Sequence, residues 1–185
     1  MKQLMIIFFL AAINLACVKG QEFPFELKTL EDIVDMDIDG FNRFMHDSDW
    51  KLSDVGNESE EHLAFVEYGL PSRENINHFK VTLSLQYAKK LPSNRLQIDI
   101  YDTSFYDKIL KEIITSEYRL IKNIKKSTDK HDDITQIYQN KINSIICIIR
   151  DRAKVYADEN GKYEPFYSYF ISILSNSDFE SNVSM

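Results

Sequence analysis

The stretch from Phe79 to Tyr87 constrains this fold more than any other. Phe79, Val81, Leu83, Leu85 and Tyr87 alternate with Lys80, Thr82, Ser84 and Gln86. Successive side chains of a strand point to opposite faces, so this period of two predicts a sheet with one buried and one wet face. Leu96, Ile98 and Ile100 repeat the pattern against Arg95, Gln97 and Asp99. Such a sheet needs a cover, and the residues before it carry the helical period. Phe41, Phe44 and Met45 fall at i, i+3 and i+4 behind Asp39, which can cap a short helix; Leu30, Ile33 and Val34 form a further turn behind Thr29. Strand signals at Trp50–Val55 and Leu63–Tyr68 complete a unit of helix followed by four strands.

The same order then recurs. Thr103-Ser104 can cap a helix through Tyr106, Ile109, Leu110 and Ile113. Strand signals follow at Tyr118–Ile124, Ile134–Gln139, Ser144–Arg150 and Phe166–Leu174, with residues 125–133 and 158–163 as polar turns. Ser48-Asp49-Trp50-Lys51-Leu52 matches Ser116-Glu117-Tyr118-Arg119-Leu120 in character, residue for residue. Tyr68 and Tyr138 end the second strands, and Ala88-Lys89 and Ala153-Lys154 leave the third. The expectation is an α+β protein of two related units, each a helix plus about four antiparallel strands. Each unit is too small to bury its sheet face alone, so the two form one continuous sheet with the helices on one face. The units span residues 21–102 and 103–175, with a C-terminal tail at 176–185.

Residues 1–20 read as an export signal. Lys2 gives the positive start, Leu4 to Ala12 the uncharged apolar run, and Val18-Lys19-Gly20 the small-residue end before Gln21. The run is too short to span a bilayer. Cleavage after Gly20 leaves a chain of roughly 165 residues. The alternative is Cys17 as an acylated terminus after Leu15-Ala16, although Asn14 stands where that signal wants an aliphatic residue. The leader, with the Ile-, Asn- and Lys-rich body behind it, resembles small exported proteins of uncharacterised role from Bacteroidetes-type bacteria. That resemblance covers no motif and implies no activity. The layout is similar to the tandem helix-plus-four-strand repeats of secreted protease- or β-lactamase-inhibitor-like proteins, an analogy of fold that carries no functional residue.

Losing the leader removes Lys2 and Lys19 and takes the net charge from −7 to −9. Nucleic-acid partners are disfavoured, because their affinity comes mainly from neutralised phosphates. The charge is uneven: residues 21–102 carry 8 basic and 17 acidic side chains, residues 103–185 carry 12 of each. Outside the leader Cys147 stands alone in the apolar run Ile145–Ile149, so no internal disulfide forms and a buried thiol is expected.

Candidate sites are few. Asp35, Asp37, Asp39 and Gly40 match the opening of a calcium loop, but His46 occupies the position of the bidentate glutamate and Asn42 that of an apolar residue. A helix start rich in acids explains the stretch as well. His46, His62, His78 and His131 have no ligand spacing. His131-Asp132 with a distant serine lacks a nucleophile-elbow pattern, and no phosphate-cradling glycine motif exists. Asn57-Glu58-Ser59 and Asn182-Val183-Ser184 are glycosylation sequons only in a eukaryotic secretory pathway. Lys122, Lys125, Lys126 and Lys130 are interleaved with Asp129 and followed by Asp132 and Asp133, as in a solvated hairpin. These readings name no catalytic, cofactor-binding or metal-ligating residue.

The second unit differs in one respect. Its third strand is apolar on both sides, with Ile146 and Ile148 opposite Ile145, Cys147 and Ile149, and it lies beside an aromatic strand at Phe166 to Phe170. Both faces then need cover, from the tail or from a protein partner, which makes Ile146, Ile148, Phe166 and Phe170 the candidate partner face. The functional expectation is an exported, periplasmic, secreted or lipid-anchored binding protein without enzymatic activity. A hydrolytic or metal-assisted enzyme built from scattered Asp, Glu and His is the alternative, and a calcium-stabilised module is a third.

Overall fold

The computed structural model describes residues 24–59, 62–72, 79–89, 93–127, 131–142, 145–157 and 163–183, with backbone alone for 131–132, 146, 148, 150–157, 163–167 and 181–183. The leader, Cys17 included, lies outside the described residues. In chain order the elements are α1 (Leu27–Val34), α2 (Ile38–His46), β1 (Lys51–Gly56), β2 (Ala64–Pro71), β3 (Phe79–Tyr87) and β4 (Arg95–Ile100). Then come α3 (Thr103–Thr115), β5 (Tyr118–Ser127), β6 (His131–Asn140), β7 (Ile145–Ala157), β8 (Tyr163–Ser175) and α4 (Asn176–Val183).

The strands form one eight-stranded antiparallel sheet in the order β1-β2-β3-β4-β8-β7-β6-β5. Each set of four is a meander, and the sets meet where β4 pairs β8, with Leu96 opposite Ile173, Ile98 opposite Ile171 and Ile100 opposite Tyr169. The expected α+β class and continuous sheet are therefore what the chain forms. One apolar cluster fills the helix side and draws on both halves: Leu30 and Ile33 of α1, Phe41 and Met45 of α2, Ile109 and Ile113 of α3, and strand residues from Val66 to Ile173. Tyr106 of α3 stacks on Tyr169 of β8 with ring centroids 3.8 Å apart. Burial of this kind contributes roughly 25 cal/mol per Å² of apolar surface, and neither half could hide its sheet face without the other.

The helix starts differ from the expected caps. The cap of α2 is Asp37, whose carboxylate accepts from Gly40 N at 2.6 Å, while Asp39 lies in the first turn, where the helix dipole favours an acid. Asp102 caps α3 by accepting from Ser104 N at 3.0 Å, which puts Thr103 inside the helix. Thr29 does not begin α1. The helix opens at Leu27, whose N–H donates to Oε2 of Glu112 on α3 at 2.6 Å, so a neighbouring helix satisfies the exposed donor. Strands β5 and β6 also stay paired out to Ser127 opposite Asp132, through much of the stretch expected as a turn.

The tail forms a helix on the other face. Phe179 of α4 packs against Ile137 and Leu174, a cluster separate from the main core. Their strand neighbours Tyr138 and Ile173 belong to that core, so α4 covers the opposite side of the sheet from α1, α2 and α3. Arg95 anchors it through two hydrogen bonds to the fully buried Asp178, one of them 3.0 Å long. No helix among the described residues is long and apolar enough to cross a membrane.

Candidate functional site

Because side chains alternate along β2, β3, β4 and β8, burying Val66, Leu83, Ile98 and Ile171 on the helix side turns a second set to the outer face. Contrary to the period-two expectation, that face is not wholly wet, since Thr82 and Ser84 are buried there. Two rows cross this outer face in register. One runs Glu67, Ser84, Gln97, Ser172; the other runs Gly69, Thr82, Asp99, Phe170. Aromatic rings close its flank. Phe79, brought to this face by the register shift between Leu70 and Pro71, lies over Gly69, and Phe65 lies over Gly56. A Cβ at either glycine would overlap the ring, so glycine is required by close approach.

A hydrogen-bonded relay runs along the centre of the face. Gln86 Nε2 donates to Gln97 Oε1 at 2.9 Å, and Gln97 Nε2 donates to Asp99 Oδ1 at 3.1 Å. Burial raises the Asp99 pKa above the ordinary carboxylate range; the Gln97 donor opposes this, and the charge of Glu67 adds to it. The Tyr101 hydroxyl is raised for the same reasons, burial first and then Asp99 and Glu67. The cations at the margin are committed elsewhere: Lys80 pairs with Asp102 at 3.4 Å and Arg95 with Asp178. The face thus concentrates hydroxyls, amides and two acids among half-buried aromatic rings.

Of the expected partner residues, Phe170 sits on this face, half-buried and opposite Asp99. Ile146 pairs with Gln139 and Leu174, Ile148 with Ile137 and Ser172, and Phe166 with Lys154; their side chains lie outside the described residues. Leu174 and Ile137, the register partners of Ile146 and Ile148, are the residues that α4 covers.

The remaining sequence candidates are dispersed. Of the acids at 35–39, Asp35 ends α1 while Asp37 and Asp39 open α2, whose Phe41 and Met45 point into the core. His46 and His62 are exposed, His78 lies outside the described residues, and so does the side chain of His131. Cys147 is fully buried; burial first, then the charge of Glu31, raises its pKa and keeps the thiol neutral. Among the described residues no group of three or more His, Cys, Asp or Glu could hold a metal ion. The sequence pattern did not single out Asp99, because an acid on the wet face of a strand is ordinary until register places it beside Phe170 and near Glu67. Compared with protein-family models, curated proteins and solved structures, the chain matches none.

Proposed function

We propose that this is an exported interaction protein without enzymatic activity, which docks a protein partner on the outer sheet face around Asp99 and Phe170. The observation that supports it is Asp99 itself. A half-buried carboxylate with the Gln97 amide as donor and Glu67 nearby is a poor arrangement for stability alone. It suits a surface that is completed by hydrogen-bond donors or a cation from outside, with Phe170 and Phe79 as apolar anchors. The proposed partner surface is therefore donor-rich or basic, in keeping with the acidic balance of residues 21–102. Export rests on the leader, and the mature protein starts at Gln21 or carries acyl chains on Cys17.

Photocrosslinking in the native envelope tests this reading. A crosslinker at Ser172 should capture a partner that one at Asp107, on the exposed side of α3, does not. Asp99→Asn should weaken that capture by about tenfold or more without unfolding the chain. Equal capture from both positions, or capture indifferent to Asp99, would remove the outer face from consideration. Mass spectrometry finding Met1 on the mature chain would end the exported reading.

A further inference from the structure

The junction between α2 and β1 holds a pocket of about 630 Å³, within the size range of small-ligand sites. It lies on the helix side of the sheet, so it is independent of the outer face. Its apolar wall is Phe25, Trp50 and Leu70, with the Phe25 and Trp50 rings stacked at 5.5 Å. Its polar rim includes His46, Asp47 and Asp49, and no Lys or Arg lines it among the described residues. Asp47 is the C-terminal cap of α2, where the helix dipole presents its negative end.

The corresponding junction between α3 and β5 shows what the first one lacks. Its pocket, about 500 Å³, is lined by Lys28 and by Glu26, Glu31, Glu112 and Glu117. Two of those acids are engaged by the chain itself and a lysine stands among them: Glu31 accepts from the Tyr118 hydroxyl at 2.8 Å and lies 3.7 Å from Lys28 Nζ, and Glu112 accepts from Leu27 N. Asp47 and Asp49 have no such partner among the described residues, and they sit beside an aromatic wall. Carboxylates, a helix C-terminus and aromatic rings all favour the same guest, a positive charge carried on an apolar stem. We propose that this pocket binds an organic cation, a protonated amine or guanidinium on a short aliphatic chain, as a basic side chain presents.

Trp50 is the only tryptophan in the sequence, so its fluorescence reports on the site. The mature chain is titrated with n-butylammonium chloride at constant ionic strength, with sodium butyrate and 1-butanol as anionic and neutral counterparts. The expected result is a saturating change for the ammonium alone, in the millimolar range suited to so small a ligand. The variant Asp47→Asn/Asp49→Asn should bind at least tenfold more weakly while keeping its circular dichroism spectrum. Should the double variant fold poorly, each single substitution carries the same expectation of weaker binding. Three results would overturn the proposal: no saturation with butylammonium, equal binding of 1-butanol, or wild-type affinity in folded variants.

Discussion

The two halves use one design at their helix-to-strand junctions and diverge in what surrounds it. Ser48 and Ser116 each follow a helix and donate through Oγ to the carbonyl three residues back, Met45 at 2.5 Å and Ile113 at 2.8 Å. Trp50 and Tyr118 come two residues later and are both buried. Leu52 and Leu120 follow, exposed on the edge strands; each pairs with a buried tyrosine, Tyr68 or Tyr138, and each is followed by a register shift. Such bulges and exposed charges blunt an edge against stray pairing. Around this shared frame the first half has strands of 6 to 9 residues and an outer face of acids, amides and aromatics. The second has strands of 10 to 13 residues and a helix, α4, laid over its outer face. The two halves are thus alike where helix meets strand and unlike on their outer faces.

The largest test of that contrast removes α4. Deleting residues 176–185 should cost about 3 kcal/mol or more, because it uncovers Ile137 and Leu174 and frees Arg95 from Asp178. A lower urea midpoint, with a tendency to associate through the exposed patch, is the expected result. An unchanged midpoint in a monodisperse monomer would show that the two outer faces are equally self-sufficient and that α4 is not a cover.

A smaller effect is expected at the second junction. Tyr118 donates to the buried Glu31 of α1, tying the first helix to the opposite half of the sheet, and burial first, then Cys147 and Glu31, raises the tyrosine pKa. Tyr118→Phe leaves the carboxylate short of a donor and should cost about 1–3 kcal/mol. In a double-mutant cycle with Glu31→Gln, a coupling energy of that order would confirm the link. Additive effects would mean that the Tyr118–Glu31 contact does not hold α1, leaving its packing and the Leu27–Glu112 hydrogen bond to do so.

How much of this was legible depended on which force shaped each element. Period-two alternation marks β3 and β4 because apolar and polar side chains alternate along both, although Thr82 and Ser84 on the polar face of β3 are buried. The polar residues 125–133 misled for the opposite reason: an edge hairpin keeps pairing through its backbone and needs no apolar signal. Helix α4 has little apolar periodicity of its own, and its anchor is the distant Arg95, which no local pattern reveals. Local sequence does not single out Asp37 and Asp102 as caps, because a second capping residue stands nearby in each case, Asp39 or Thr103. The candidate site was least visible. Phe170 stands out in the sequence as one aromatic among several, but Asp99 acquires meaning only when β4 meets β8 across the middle of the sheet.

The smallest expected change concerns Asp99, where the outer faces differ in chemistry. A carboxylic acid whose pKa is raised by folding binds its proton more tightly in the native state than in the unfolded one. Stability therefore suffers at neutral pH, where the native carboxylate is charged, and recovers as the pH falls through its raised folded value. Below the unfolded value, near 3.9, both states are protonated and the penalty is gone. Asp99→Asn should thus be slightly more stable than the parent at pH 7, with the gain shrinking as the solution is acidified. Thermal melts of the two proteins across that range measure it directly. A variant that is less stable at pH 7 would mean that the Gln86–Gln97–Asp99 relay holds the sheet together. A variant that gains stability while losing its crosslinked partner would show a charge kept for recognition at the expense of the fold, which is where natural proteins tend to leave such residues.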